Sequence, residues 1–153
     1  ANCPSLVTVP RLPPLAREAA TAIRRGDPGQ LERAIERAVE GGRDLGTIER
    51  IRAIAQLAAG DLAKARASLE SAHREGGDDP PAEARYQLAM ALVSLRSGDA
   101  LEGIRCGLAS LATSRDLEDP RGEVAALRTL AACYRAVGRE GMATRIESHP
   151  RVP

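Results

Sequence analysis

The sequence predicts an all-α protein, a solenoid of about four antiparallel helix hairpins, on three observations. Glycine turn signals recur at Gly26, Gly60, Gly98 and Gly138, at intervals of 34, 38 and 40 residues. Ala-rich apolar patterns with helical spacing precede and follow each turn. The 153 residues include no Phe, no Trp and only 2 Tyr, so the apolar faces are built from small aliphatic side chains. Self-similarity at this period indicates helix pairs that bury their apolar faces by stacking on their neighbours.

The elements follow in chain order. Residues 1–13 are predicted to form an extended, Pro-rich N-terminal arm, because prolines stand on both sides of the β-branched stretch Val7 to Val9. Pro14 falls in the first turn of the first helix, where its missing N–H costs nothing. The helical domain is expected to span 14–148, and 149–153 is expected to form a C-terminal tail. The predicted helices are 14–25, 28–41, 45–59, 61–75, 81–97, 99–114, 121–137 and 140–148.

Each tight turn has a mechanism. Glycine takes the left-handed conformation that ends one helix, and in the first three turns the following aspartate caps the next helix. Asp27 with Gln30 and Asp99 with Glu102 resemble capping boxes. Polar breakers separate one hairpin from the next, and the later ones are longer, which accounts for the increasing period. These breakers are 41–44, 76–81 and 114–120.

Charge and hydropathy exclude several classes of partner. The net charge of +1 provides no global field toward nucleic acid or an acidic membrane surface, and 2 Tyr offer few platforms for base stacking. We therefore predict no nucleic-acid partner. The longest apolar stretch, Leu88 to Leu95, is far shorter than the roughly 20 residues of a membrane-spanning helix. The chain begins at Ala1 without Met, which is expected of a processed product, a domain of a longer protein or a partial chain. The compartment stays open, with the cytoplasm slightly favoured over export.

The sequence contains no recognisable pattern of catalytic or metal-binding residues. Cys3, Cys106 and Cys133 are odd in number and lack C-x-x-C spacing, so neither a disulfide framework nor a zinc site is predicted. The two helical cysteines are expected in the core, with a bridge between them left open. His73 and His149 have no paired nucleophile at motif spacing and are expected on the surface. With no phosphate-binding glycine loop either, we predict a protein that is not an enzyme and needs no cofactor or metal.

A distributed pattern appears when the chain is aligned on its turn glycines. The small-residue position of the first helix is Ala19, Ala53, Ala91 and Ala131, and its counterpart early in the second helix is Leu31, Ala65, Gly103 and Ala143. Over most of 14–148 this pattern resembles the tetratricopeptide repeat family, and the long period is similar to that of the longer repeats in bacterial signalling proteins. The resemblance implies a right-handed solenoid. Ala22, Gln56 and Ser94 depart from it where the family favours the Tyr found at Tyr134. An irregular all-α bundle with chance spacing is the alternative.

The resemblance also implies a binding surface. In this family the first helix of each pair lines a concave inner face. Here that face would be an apolar floor with arginines at its edges, suited to an acidic, partly apolar helix or peptide. The carboxylate-clamp version that binds chaperone C-termini is disfavoured, because it needs inner-face Asn and this chain has only Asn2. The implied partner-binding residues are Arg50, Ile54, Leu57, Arg85, Leu88, Leu92, Arg96, Arg128 and Arg135.

Two alternatives accompany this interpretation. The arginines are equally well explained if they pair with carboxylates of neighbouring helices, and leucines at helical spacing are typical of a core. The chain is alternatively a structural subunit or assembly factor of a larger complex, which contacts its neighbours through the arm 1–13 and the helix edges while the inner face stays empty.

Overall fold

The computed structural model describes residues 14–42 and 45–153. The predicted arm 1–13 lies outside the described residues. Within them the chain forms eight α-helices and no strand, which confirms the all-α prediction, and every helix end lies within two residues of its predicted position. The helices are α1 (Pro14–Arg25), α2 (Pro28–Glu40), α3 (Leu45–Ala58), α4 (Leu62–Glu75), α5 (Pro80–Arg96), α6 (Ala100–Asp116), α7 (Pro120–Ala136) and α8 (Glu140–Glu147).

The turn chemistry is confirmed for the glycines and the aspartates. Gly26, Gly60, Gly98 and Gly138 all have positive φ, between 62° and 85°. Asp27 accepts a hydrogen bond from the Gln30 amide at 3.0 Å, and Asp99 accepts one from the Glu102 amide at 3.2 Å. These bonds satisfy two of the backbone donors that a helix start leaves without an intrahelical partner.

The predicted capping boxes at Asp27 and Asp99 are both wrong in their second half. A full box needs the Gln30 or Glu102 side chain to accept from the amide of the capping aspartate. The Asp27 amide instead donates to the Ala22 carbonyl at 3.0 Å, and the Asp99 amide donates to the Ser94 carbonyl at 2.8 Å. Both amides are thus engaged by the helix that ends at the glycine turn, and Glu102 accepts from Arg105 Nε at 2.9 Å.

Helices that follow each other in the chain pack against each other. The most extensive contacts join α5 with α6, α3 with α4, and α6 with α7, followed by α7 with α8 and α1 with α2. Smaller contacts join α3 with α1 and α2, α5 with α4, and α7 with α5. Every substantial helix contact in the described part of the chain therefore joins elements that are one or two apart in sequence order.

The core is divided along the chain into three apolar clusters. The first joins α1, α2 and α3, the second joins α3 to α6, and the third joins α6, α7 and α8 with Val152. The small-residue positions of the sequence pattern lie inside the core, since each is at most 4 % exposed, as predicted for close helix approach. These residues are Ala19, Ala53, Ala91 and Ala131.

Helix α6 approaches its neighbours more closely than alanine would allow. A Cβ on Gly103 would lie 2.8 Å from the Cys133 sulfur and 3.2 Å from the Ala91 carbonyl oxygen. A Cβ on Gly107 would lie 2.8 Å from Cδ2 of Leu130. Glycine at these two positions therefore sets the spacing between α6 and the helices α5 and α7.

The two helical cysteines are core residues, as predicted. Cys106 and Cys133 are 1 % and 0 % exposed, and both are free thiols, so the bridge that the sequence left open is not formed. Burial raises the pKa of both thiols, because a thiolate is poorly solvated in an apolar surrounding.

Candidate functional site

The nine residues predicted to bind a partner lie on α3, α5 and α7. Of these helices, α5 and α7 are in contact with each other. Four of the residues are exposed arginines and one is an isoleucine that is 48 % exposed; the other four are half-buried. The exposed set is Ile54, Arg85, Arg96, Arg128 and Arg135; the half-buried set is Arg50, Leu57, Leu88 and Leu92.

Arg135 is held within the fold by carboxylates. Its Nε lies 3.0 Å from Oε1 of Glu140, and its Nη1 lies 2.8 Å from Oε1 of Glu147. The hydrogen bond to Glu147 has the larger effect and the one to Glu140 the smaller, and both raise the pKa of the Arg135 guanidinium. Arg135 in turn lowers the pKa of Glu147. Arg135 thus links α7 to α8, as the internal-pairing alternative predicts.

Arg96 is also used internally. Its Nη1 donates to the backbone carbonyl of Leu57 at 2.6 Å. Leu57 lies in the last turn of α3, where carbonyl groups lack intrahelical partners. The same carbonyl also accepts from the Gly60 amide at 3.1 Å, so Arg96 adds a second donor there and connects α3 to α5, which is a structural role.

Arg85 and Arg128 differ from those two arginines. Both side chains are exposed, and neither forms a hydrogen bond or ion pair with another residue in 14–42 or 45–153. They lie on the contacting helices α5 and α7. Arg50 lies elsewhere, in the crevice between α3, α4 and the start of α5. Arg85 and Arg128 are thus exposed arginines that form no ion pair within these ranges.

The predicted apolar floor is part core and part surface. Leu57 packs against the second apolar cluster, whereas Ile54 is 48 % exposed. Leu88 lines, together with Arg85 and Leu117, a cleft of about 110 Å³ between α5 and the α6–α7 connection. That volume admits one side chain of a partner rather than a whole ligand.

Sequence reasoning missed a polar cluster between α4 and α5. Nδ1 of His73 lies 3.1 Å from Oε2 of Glu83, and the Gln87 side-chain amide donates to the other Glu83 oxygen at 2.9 Å. The His73 ring stacks on Tyr86 with centroids 4.0 Å apart. Burial, followed by the charge of Glu70, raises the pKa of Tyr86. Free space at this junction is about 20 Å³, enough for one water molecule, so the cluster joins helices rather than binds a ligand.

A signal for this cluster was present in the sequence. His73 stands in the last turn of α4 and Glu83 in the first turn of α5, on either side of a glycine- and proline-rich break. Helix C-termini favour basic side chains, and helix N-termini favour acidic ones. His73 remains a surface residue, as predicted, because its side chain is 41 % exposed.

A second missed group surrounds Glu123 on α7. Glu123 is 7 % exposed, and its two oxygens lie 3.2 Å from Arg115 Nε and 3.5 Å from Arg151 Nε. The available signal was its register: Glu123, Leu127 and Leu130 share one face of α7. A buried acidic residue on an otherwise apolar stripe predicts a basic partner, but the sequence pattern does not identify that partner.

No group of three or more His, Cys, Asp or Glu residues in the described ranges is arranged to hold a metal ion. Among the same residues, no helix is both long enough and apolar enough to cross a bilayer. Comparisons of the chain with protein-family models, with curated proteins and with solved structures find no match.

Proposed function

We propose that this protein is a non-catalytic protein–protein interaction module, a right-handed solenoid of tetratricopeptide-like hairpins that binds an acidic, partly apolar helix or peptide on its concave face. Two features support the architecture. Substantial helix contacts join only elements close in sequence order, as stacking of repeats requires. The four alanines at the repeat positions are buried.

One observation carries the binding proposal. Arg85 and Arg128 are exposed on contacting helices and have no ionic partner among the described residues, and half-buried Leu88 and Leu92 lie in the same register of α5. Each bond from such a guanidinium to a partner carboxylate contributes roughly 1.5–3 kcal/mol if water is excluded, and under about 1 kcal/mol if it is not. The leucines supply the apolar surface that excludes the water.

The contacts narrow the nine residues to a smaller site. Arg96 and Arg135 hold the scaffold together, so they shape the face without binding the partner. The proposed contact residues are Arg85, Leu88, Leu92 and Arg128, extended toward α3 by Ile54.

A peptide-selection experiment tests this site. A displayed library of random 16-residue peptides is selected on the protein, and the enriched peptides are measured by fluorescence anisotropy at low and high salt. The binding variant is Arg85→Glu with Arg128→Glu. The matched control, Arg33→Glu with Arg145→Glu, makes the same charge change at exposed positions of α2 and α8.

We expect the selection to enrich peptides that combine Asp or Glu with Leu, Ile or Val. The binding variant should weaken them at least tenfold and remove most of the salt dependence, while the control stays within about twofold of wild type. If the enriched peptides lack acidic residues, or if both variants lose peptide affinity equally, the inner face is not the binding site.

A second candidate function rests on the outer side of α6. Leu101 and Leu108, seven residues apart on one face, are 71 % and 48 % exposed. Such a pair favours the structural-subunit alternative, in which the helix edges contact neighbouring proteins. In affinity capture from an extract of the source cells, Leu101→Ser with Leu108→Ser would then abolish partner recovery, whereas Arg85→Glu with Arg128→Glu would leave it intact.

A further inference from the structure

The segment after α8 packs back onto the protein. We call residues 148–153 the strap. Val152 lies against the third apolar cluster, and its amide donates to the His149 carbonyl at 2.9 Å, which closes a turn around Pro150. Arg151 Nε reaches Oε2 of Glu123 on α7 at 3.5 Å.

The length of α8 explains why the strap packs there. Helix α7 has 17 residues and α8 has 8, so at about 1.5 Å per residue α8 covers less than half of its neighbour. The N-terminal half of α7, beyond the reach of α8, carries a stripe of Glu123 and Leu127, which are 7 % and 4 % exposed. The strap supplies one aliphatic side chain and one cation to that stripe.

The contacts of the strap are few and half-exposed. The Arg151 side chain is 52 % exposed and Val152 is only half-buried. By contrast, the Glu123 carboxylate that receives Arg151 belongs to a side chain that is only 9 % exposed and is also held by Arg115. The receiving site is therefore built into the helices. Ser148 and His149 are hydrogen-bonded to the end of α8, whereas Arg151 and Val152 reach α7 through one ion pair and one apolar contact, the kind of local structure that opens without global unfolding.

From these contacts we propose that the Glu123 face of α7 is a second docking site, for a partner segment in which arginine is followed by an aliphatic residue, and that the strap is its detachable occupant within the chain. Glu123 binds the guanidinium, and Leu127 of the third apolar cluster accepts the aliphatic side chain. The site is independent of the inner face, because Arg85 and Arg128 take no part in it.

The test uses the 153-residue chain and a synthetic peptide of the strap sequence, SHPRVP. The variant Arg151→Ala with Val152→Ser removes both anchoring side chains and leaves every other residue in place. Met142→Ser with Arg145→Ala is the matched control on the exposed face of α8. Peptide is titrated into ¹⁵N-labelled protein and amide shifts are followed by NMR, with circular dichroism to verify folding.

In the strap variant we expect saturable shifts confined to α7 residues 121–131 and to the end of α8. Wild type and control should bind the peptide at least tenfold more weakly, because the tethered strap competes at a millimolar or higher effective concentration. A peptide with Gln in place of Arg should lose at least tenfold in affinity, a comparison that needs no further change to the protein.

The proposal is overturned if the folded strap variant shows no saturable shifts, or if wild type and variant bind the peptide equally. A third outcome identifies a different occupant. If wild type forms a dimer at high concentration in sedimentation and the strap variant does not, the site exchanges straps between copies and the partner-segment proposal is wrong.

Discussion

Two junctions between successive helices, α4 with α5 and α6 with α7, differ in how closely the helices approach. The α4–α5 junction is polar at its edge, with His73 bridging to Glu83 and stacking on Tyr86, and it keeps a small free space. The α6–α7 junction also has an ion pair at its edge, between Arg115 and Glu123, but its interior is so close that a Cβ on Gly103 or Gly107 would lie 2.8 Å from a side-chain atom of α7.

The difference teaches how one all-helical chain combines a tight and an adjustable contact between successive helices. Close packing of glycine against a buried leucine has one geometry, because any displacement opens a void or creates a clash. Half-exposed ion pairs contribute little stability, and long side chains follow small movements of the helices that carry them. We therefore expect the α6–α7 junction to carry stability and the α4–α5 junction to tolerate change.

The largest expected effect is at Leu130, which is 1 % exposed at the close junction. Leu130→Ala leaves a cavity beside Gly107 and should lower the free energy of unfolding by about 2–5 kcal/mol in urea denaturation. Leu101→Ala, at a position 71 % exposed, is the control and should stay within about 0.5 kcal/mol. Equal losses in the two variants would contradict the picture of a close-packed junction.

The second-largest effect on stability is expected from a methyl group added to α6. Gly103→Ala forces a contact with Cys133 and with the Ala91 backbone, and this overpacking costs about 1–3 kcal/mol, which exceeds the alanine helix preference of up to about 1 kcal/mol. We expect a net fall in melting temperature. On α8, a Cβ added by Gly141→Ala meets nothing within 4 Å. This substitution should add about 0.5–1 kcal/mol of stability and so raise the melting temperature. If both substitutions stabilise, α6 has room to move.

Substitutions at the polar edge of the α4–α5 junction should change stability only slightly. A double-mutant cycle with His73→Gln and Glu83→Gln, measured by chemical denaturation, should give a coupling energy of about 0.2–1 kcal/mol, because both side chains are around 40 % exposed. A coupling energy above about 2 kcal/mol would place the two junctions in the same class and remove the contrast between them.

The smallest expected effect is a shallow dependence on alkaline pH. Burial raises the pKa of Cys106 and Cys133, so the folded state holds these protons more tightly than the unfolded chain. Stability from this source is complete below the unfolded thiol pKa of about 8.5 and declines as the pH rises above it. Unfolding measured between pH 7 and pH 9.5 should show the decline in wild type, and Cys106→Ala with Cys133→Ala should flatten it.

Much of the secondary structure followed from local chemistry. Glycine in the left-handed conformation, aspartate at helix starts and proline in first turns act within a few residues, and for that reason the helices of the described ranges were predicted to within two residues of their ends. The capping-box predictions at Gln30 and Glu102 failed because the amides of Asp27 and Asp99 already donate to carbonyls of the preceding helix.

The candidate site could be predicted only in outline. The inner-face register selected nine residues from the family pattern, but it did not distinguish Arg85 and Arg128 from Arg96 and Arg135. That distinction depends on Leu57, 39 residues before Arg96, and on the two glutamates of α8. The pairing of Glu123 with Arg115 and Arg151 was hidden for the same reason.

The sequence by itself determined that the chain is helical, where its helices begin and end, and which small residues meet in the core, because these properties depend on local propensity and periodicity. Only the tertiary structure decided which charges are already paired, how closely α6 approaches α5 and α7, and where residues 148–153 lie. These depend on distances between segments far apart in the chain, which a pattern of residue types does not contain.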